Sequence, residues 1–127
     1  MRINYSTGAK WEDIVGYCRA VQIGNTVEIS GTVAFDGSQV IAKGDFYGQT
    51  KYIIEKIEGV LKQAGFDLKD VVRTRIFVTD ISNWEAVAKA HGEFFKDIKP
   101  VTSMVEVSAL IAPEYLVEIE ASAVKIS

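Results

Sequence analysis

The chain has 127 residues, 48% of them hydrophobic and 24% charged, which fits one globular domain with its own core and leaves no room for two. A net charge of −3 and a pI near 5.2 argue against a general attraction for the phosphate backbone of nucleic acid. One cysteine (Cys18) and one histidine (His91) exclude an intrachain disulfide and a four-ligand Cys/His zinc centre within the chain, so no metal ligand set is expected. No apolar run approaches the roughly 20 residues of a membrane span, and Met1 to Tyr5 lack the apolar stretch of a signal peptide. A reduced, cytoplasmic protein is the expectation.

Residues 2–11 read as a short strand or arm. Two β-rich runs follow, Tyr17 to Ile23 and Thr26 to Ser30, and Gly24-Asn25 between them makes a hairpin turn. A third run reaches Phe35, Asp36-Gly37-Ser38 breaks it, and Val40-Ile41 pairs briefly. Asp45 caps a helix whose apolar positions, Phe46, Ile53, Ile54, Ile57, Val60, Leu61 and Ala64, recur at helical spacing up to the stop at Gly65. Asp67 to Asp70 leads into a strand from Val71 to Thr79, with Val72, Thr74, Ile76 and Val78 on one face and Arg73, Arg75 and Phe77 on the other. A second helix, capped by Ser82 or Asn83 and running to about Lys96, carries Trp84, Val87, Ala88, His91, Phe94 and Phe95 on one stripe, with Trp84 and His91 read as core. Pro100 opens a strand from Val101 to Val107, and a last strand spans about Tyr115 to Lys125. Two helices cannot cover both faces of a six-stranded sheet, so residues 1–127 read as one α+β domain with both helices on one face.

That arrangement leaves a sheet face to explain. On the last strand Val117, Ile119, Ala121 and Ala123 alternate with Glu118, Glu120 and Ser122, so the two carboxylates share the face turned away from the helices. A solvated polar face is ordinary for antiparallel sheets. Here, however, Phe77 and Met104 are expected on that face as well. Arg73 and Arg75 offer partners to the acids, and Tyr17 and Arg19 fall on one side of their strand. Acids, arginines and large apolar side chains together suit a face that packs on another subunit, where arginine is the better partner for a buried carboxylate.

Several segments, in order and over nearly the whole chain, then match one family. They are Gly24-Asn25 with Ser30-Gly31, Ala64-Gly65, Val71-Val72 leading to Phe77-Val78-Thr79-Asp80, and His91-Gly92-Glu93-Phe94-Phe95 before Pro100. Val105-Glu106-Val107 and Val117-Glu118-Ile119-Glu120-Ala121 complete the set. Together they resemble the RidA/YjgF family of reactive-intermediate deaminases. The resemblance implies a chorismate-mutase-like α+β fold and a homotrimer, with the sheets forming a central barrel and the small-molecule clefts between adjacent subunits. It also implies hydrolysis of imines or enamines to ammonia and a keto acid without a cofactor. In that chemistry an Arg binds the substrate carboxylate bidentately and a Glu handles the attacking water. Some relatives were described as ribonucleases, but a lone His offers no histidine pair for general acid–base cleavage.

The chain departs from this pattern where the Arg belongs. The family's Arg follows a Pro by two positions and precedes Ser-x-Val-Glu-Val; here Thr102 stands there, Met104 stands for a family Cys, and Ala88 for a helix Asn. Tyr17, Ser30, Gly31 and Glu118 remain. Carried over, the resemblance makes Glu118 the water-handling carboxylate and Tyr17, Ser30, Gly31, Thr102 and Met104 ligand-binding positions; face-sharing with Tyr17 adds Arg19 to that set, and the mixed sheet face puts Arg73, Arg75 and Glu120 at the oligomer interface. Arg19, which shares a strand face with Tyr17, is placed to restore the missing charge; the alternative is that it only pairs with Glu118 or Glu120 across the barrel. The altered clamp leaves two readings open, an imine or enamine hydrolase of changed specificity and a non-catalytic metabolite-binding trimer.

Overall fold

The first hairpin sets the sheet. Strands β2 (Ala20–Ile23) and β3 (Thr26–Val33) are antiparallel, with Ile23 opposite Thr26 across Gly24-Asn25. Gly24 takes φ 57°, a conformation that costs an L side chain energy and glycine none. β1 (Arg2–Tyr5) pairs with β2, as expected for an N-terminal strand. The computed structural model describes residues 1–126, and between β1 and β2 it contains a helix that the sequence reading did not include, α1 (Lys10–Val15). Six residues are too few for a helical period to show. The segment is held instead by Glu12, whose carboxylate accepts from Ser6 Oγ at 2.6 Å, Thr7 Oγ1 at 2.6 Å and Thr7 N at 3.1 Å.

α2 (Phe46–Gln63) starts where Asp45 accepts a hydrogen bond from Gly48 N at 3.0 Å, and it buries Ile53, Ile54, Ile57 and Leu61. After a single 3-10 turn at Leu68–Asp70 come β4 (Val71–Val78), α3 (Trp84–Phe95), β5 (Val101–Glu106) and β6 (Val117–Val124). The sheet order is β1-β2-β3-β6-β4-β5, antiparallel except for the parallel β4–β5 pair. Val27, Ile29, Ile76, Val78, Val117, Ile119, Ala121 and Ala123 line the face that α2 and α3 cover, each at most 4% exposed. Burial of an aliphatic side chain of this size contributes roughly 1.5–3 kcal/mol, so this layer is the core.

Four details differ from the sequence reading. The runs ending at Ser30 and at Phe35 belong largely to one strand, interrupted by a bulge: Ile29 faces Ala121 and Thr32 faces Ile119, so Ser30 and Gly31 together oppose one residue of β6. A second bulge on β4 turns Val71 inward in place of Val72, which is 44% exposed. Trp84 does not fill the core and is 52% exposed. Asn83 is the N-cap residue of α3 as expected, but its side chain makes no capping hydrogen bond; the turn before the helix (Ile81–Asn83) is instead capped by Asp80, which accepts from Ser82 N at 3.0 Å.

Gln49, fully buried on α2, ties the 107–116 connection to the core. Its amide nitrogen donates to Glu114 O at 2.9 Å and its oxygen accepts from Leu116 N at 2.9 Å. Replacing it by Leu leaves both backbone groups without their partner, a cost of about 2–4 kcal/mol. Urea unfolding at fixed protein concentration should show Gln49→Leu with a lower midpoint and an unchanged slope.

Candidate functional site

The β3 bulge builds the first half of the site. Where Ser30 and Gly31 crowd into one position, the strand bends and Gly31 comes up against the side chain of Glu118 on β6. A Cβ on Gly31 would overlap the Glu118 carboxylate, so the absence of a side chain there is what gives the acid its place. Glu118 is half-buried, and among the described residues no hydrogen bond or ion pair holds its carboxylate. Burial, aided by the neighbouring Glu120, pushes its proton affinity above the ordinary carboxylate range, and Arg19 only partly offsets this.

Arg19 arrives from just before β2. Its backbone continues the ladder, with Arg19 N donating to Tyr5 O at 2.8 Å and Arg19 O accepting from Ser30 N at 3.0 Å. The guanidinium donates through Nη2 to Gly31 O at 2.6 Å, while Nε is buried without a partner. Burial opposes the charge, and Tyr17, Glu12 and Glu118 lie close enough to favour it. Among the described residues Arg19 makes no ion pair with Glu118 or Glu120 of its own chain. Ser30 Oγ donates to Cys18 O at 2.7 Å, and Tyr17 is 40% exposed. Tyr17, Arg19, Ser30, Gly31 and Glu118 therefore gather as one group.

Thr102 and Met104 do not join them. The β4–β5 register sets Thr102 beside Thr74 and Met104 beside Ile76, so both turn toward the helices, and Met104 packs against the core. The expectation that Met104 shares a face with Phe77 is corrected accordingly. The cause is the edge position of β5, where Val101 and Val105 occupy the helix-free face and remain 57% and 47% exposed. Arg73, Arg75 and Glu120 do lie on the helix-free face, with Arg75 Nη1 3.8 Å from Glu120 Oε1. They line a shallow polar depression with Glu28 and Ser122.

The sequence reading missed two groups near Arg19. Glu12 belongs to the unforeseen α1. Lys56 flanks the apolar stripe of α2, donates to Phe35 O at 2.6 Å, and has its proton affinity lowered by burial and by Arg19. Only its position next to Ile57 could have signalled it. Among the described residues no group of three His, Cys, Asp or Glu is placed to hold a metal ion, and no helix is long and apolar enough to cross a membrane.

Comparison with known proteins agrees with this geometry. The family model described as Endoribonuclease L-PSP matches residues 7–125. A crystal structure of a member of the YjgF/YER057c/UK114 family from Mycobacterium tuberculosis superposes with a TM-score of 0.88 at 51% identity, covering 98% of this chain and 100% of that one. An uncharacterised protein of Streptomyces coelicolor is 34% identical over 92% of this chain and 87% of its own length. The 3-aminoacrylate deaminase RutC of Acinetobacter baylyi is 34% identical over 81% of this chain and 82% of its own. With the bulge, the Gly31–Glu118 contact and the strand order in place, these matches establish that the chain belongs to the RidA/YjgF family, the Endoribonuclease L-PSP family of the matching model.

Proposed function

We propose that this chain forms a homotrimer whose helix-free sheet faces close a barrel, and that it hydrolyses small imines or enamines in the clefts between protomers. The observation that carries this reading is Glu118, a half-buried carboxylate of raised proton affinity with no hydrogen-bond partner of its own, set against a glycine. Such a group suits both halves of a proton transfer. As carboxylate it takes a proton from water as the oxygen attacks the C=N carbon. As acid it returns that proton to the nitrogen, giving the carbinolamine; it then takes the hydroxyl proton and passes it to the amine nitrogen as the C–N bond breaks, so that the carbonyl forms and ammonia leaves. The relative named as a 3-aminoacrylate deaminase fits this class, because an aminoacrylate is an enamine that carries a carboxylate.

Arg19 is the carboxylate partner in this reading. A guanidinium with a buried, unpaired Nε and no acidic partner is a costly arrangement that a bound anion relieves. Tyr17, Ser30 and the Gly31 backbone surround the same space. Thr102 and Met104 lie across the sheet, so they reach a ligand bound at Glu118 only from a neighbouring protomer. A second reading, metabolite binding without turnover, draws support from the uncharged Thr102 at the position of the family's Arg and from the commitment of Arg19 Nη2 to Gly31 O. A nucleic-acid substrate is disfavoured by the net charge of −3. Small-molecule chemistry without a bound cofactor and location in the cytoplasm complete the proposal.

The decisive assay generates an imino acid in place with an amino-acid oxidase and follows keto-acid formation. Wild-type protein should accelerate it and Glu118→Gln should leave the buffer rate; wild-type protein that leaves the buffer rate unchanged overturns the hydrolase reading. Titration with a non-reactive keto acid tests Arg19. Arg19→Met should weaken binding at least tenfold while association state is kept, and equal affinity ends its role as clamp. Gly31→Ala meets only a flexible carboxylate, so the variant should fold normally and lose turnover. The folded protein holds the Glu118 proton more tightly than the unfolded chain does, so the neutral acid favours folding and that contribution is lost as pH rises through the Glu118 value. The melting temperature of Glu118→Gln relative to wild type should therefore increase from about pH 4 to about pH 7.

A further inference from the structure

Hydrolysis at Glu118 draws no proton from the helix-covered side of the sheet, yet a line of polar atoms runs there from the interior to the surface. Thr74, 1% exposed, sits among Val71, Ile76 and Val78 on the core face of β4. Its Oγ1 lies 2.9 Å from His91 Nε2 on one side and 2.8 Å from Thr102 Oγ1 on the other. Thr102 is exposed at the β5 edge, where its hydroxyl otherwise meets only Pro100 O at 3.3 Å. A valine would fill the Thr74 position without polar atoms, so the hydroxyl is what distinguishes this residue.

A hydroxyl carries one proton, so Thr74 donates to one neighbour and accepts from the other. The line has two states. In one, Thr102 donates to Thr74 and Thr74 donates to His91 Nε2; Thr102 then shows lone pairs to the surface. In the other, His91 Nε2–H donates to Thr74, Thr74 donates to Thr102, and the Thr102 proton goes to Pro100 O or, in its place, outward to a ligand. Switching between them passes a proton between the imidazole and whatever is bound at Thr102.

We propose that His91, Thr74 and Thr102 form a proton relay that makes His91 a second acid–base group of the cleft, opening at the position where the family places its Arg. The inference rests on the imine and enamine reading above. For an enamine, the amino N–H gives its proton to Thr102 Oγ1 while the Thr102 proton moves to Thr74 and the Thr74 proton to His91 Nε2. The C=C electron pair takes a proton from the Glu118 acid, and C=N forms. His91 then returns its proton through the same line to the imine nitrogen. Glu118, now a carboxylate, is ready to receive a proton from water. The ligand group that meets Thr102 is thus a neutral nitrogen and not a carboxylate, which is held elsewhere, at Arg19.

The surroundings suit this role. His91 stacks on Phe95 with ring centroids 4.6 Å apart, and burial keeps its proton affinity below that of an exposed histidine, so it is neutral and able to accept near pH 7. Burial alone, with no charged neighbour, sets the proton affinity of His91. On α3 and α2, Tyr47 donates to Glu93 and Lys89 lies over the Tyr47 ring. On β4, Arg73 and Arg75 point to the helix-free face, and on β5, Glu106 accepts from Ile81 N.

His91 is the only histidine in the chain, so its ring nitrogens are assigned without ambiguity by nitrogen NMR. The relay predicts that Thr102→Val shifts the Nε2 resonance and the His91 titration midpoint while leaving the backbone spectrum beyond β5 unchanged, and that Thr102→Ser restores both. A Thr102→Val protein with unaltered His91 signals overturns the relay whether or not the protein turns over imines. In the keto-acid assay, Thr102→Val and His91→Gln should each lower kcat about 100-fold with little change in KM. His91→Gln should also remove the acid limb of the kcat profile, which wild type shows below the ordinary histidine value, and Thr102→Ser should keep it. Wild-type turnover with full kcat in Thr102→Val equally contradicts the proposal.

Discussion

A sheet has two faces, and this chain has helices for only one. α2 and α3 bury one side to near completeness, and the remaining side carries a mixture that water solvates poorly. Phe77, Val101 and Val105 lie beside Arg73, the Arg75–Glu120 pair and the half-buried Glu118. The proposed site follows from how that side is closed. Glu118 projects from it, Arg19 and Tyr17 reach it from the β2 end, and Thr102 waits at the opposite edge of the sheet on the other surface. Within one protomer β4 and the thickness of the sheet separate the two halves. In the proposed trimer a neighbouring copy brings its Thr102 to the Glu118 of the first.

Within the first half, one backbone irregularity organises everything else. The bulge at Ser30-Gly31 sends the Gly31 carbonyl to Arg19 and opens the space that the Glu118 carboxylate occupies. The acid and the cation are thereby held near one another without pairing. An ion pair would neutralise both; kept apart, Glu118 retains a high proton affinity and Arg19 retains an unfilled donor. Both are conditions under which a small polar ligand gains binding energy from groups the fold has left unsatisfied.

Much of this was legible in the sequence. Alternation on β6 gave the facing of Glu118 and Glu120 correctly, because its two residue sets differ sharply in polarity. The helical stripe of α2 was equally clear. β5 misled, since both of its alternating sets mix polar and apolar residues and its parallel partner, not its own pattern, decides that Thr102 and Met104 face inward. Val72 misled because a bulge inserts a residue without leaving a mark on composition. Trp84 was read as core from its helical spacing, but it lies at the end of its stripe, near the N-terminus of α3, where no strand covers it. The link from His91 to Thr102 could not be read at all, since it joins three elements through Thr74, which on its own looks like one more β-branched strand residue. The resemblance carried the family membership that the comparisons establish.

The account stands on the free sheet face being sealed by other copies of the chain. Sedimentation equilibrium at micromolar concentration tests this most directly. The expected result is a single species of three times the 14.0 kDa chain mass, unchanged on dilution. A stable species of one chain mass would leave Glu118 and Thr102 on separate surfaces of one molecule and contradict the proposed cleft.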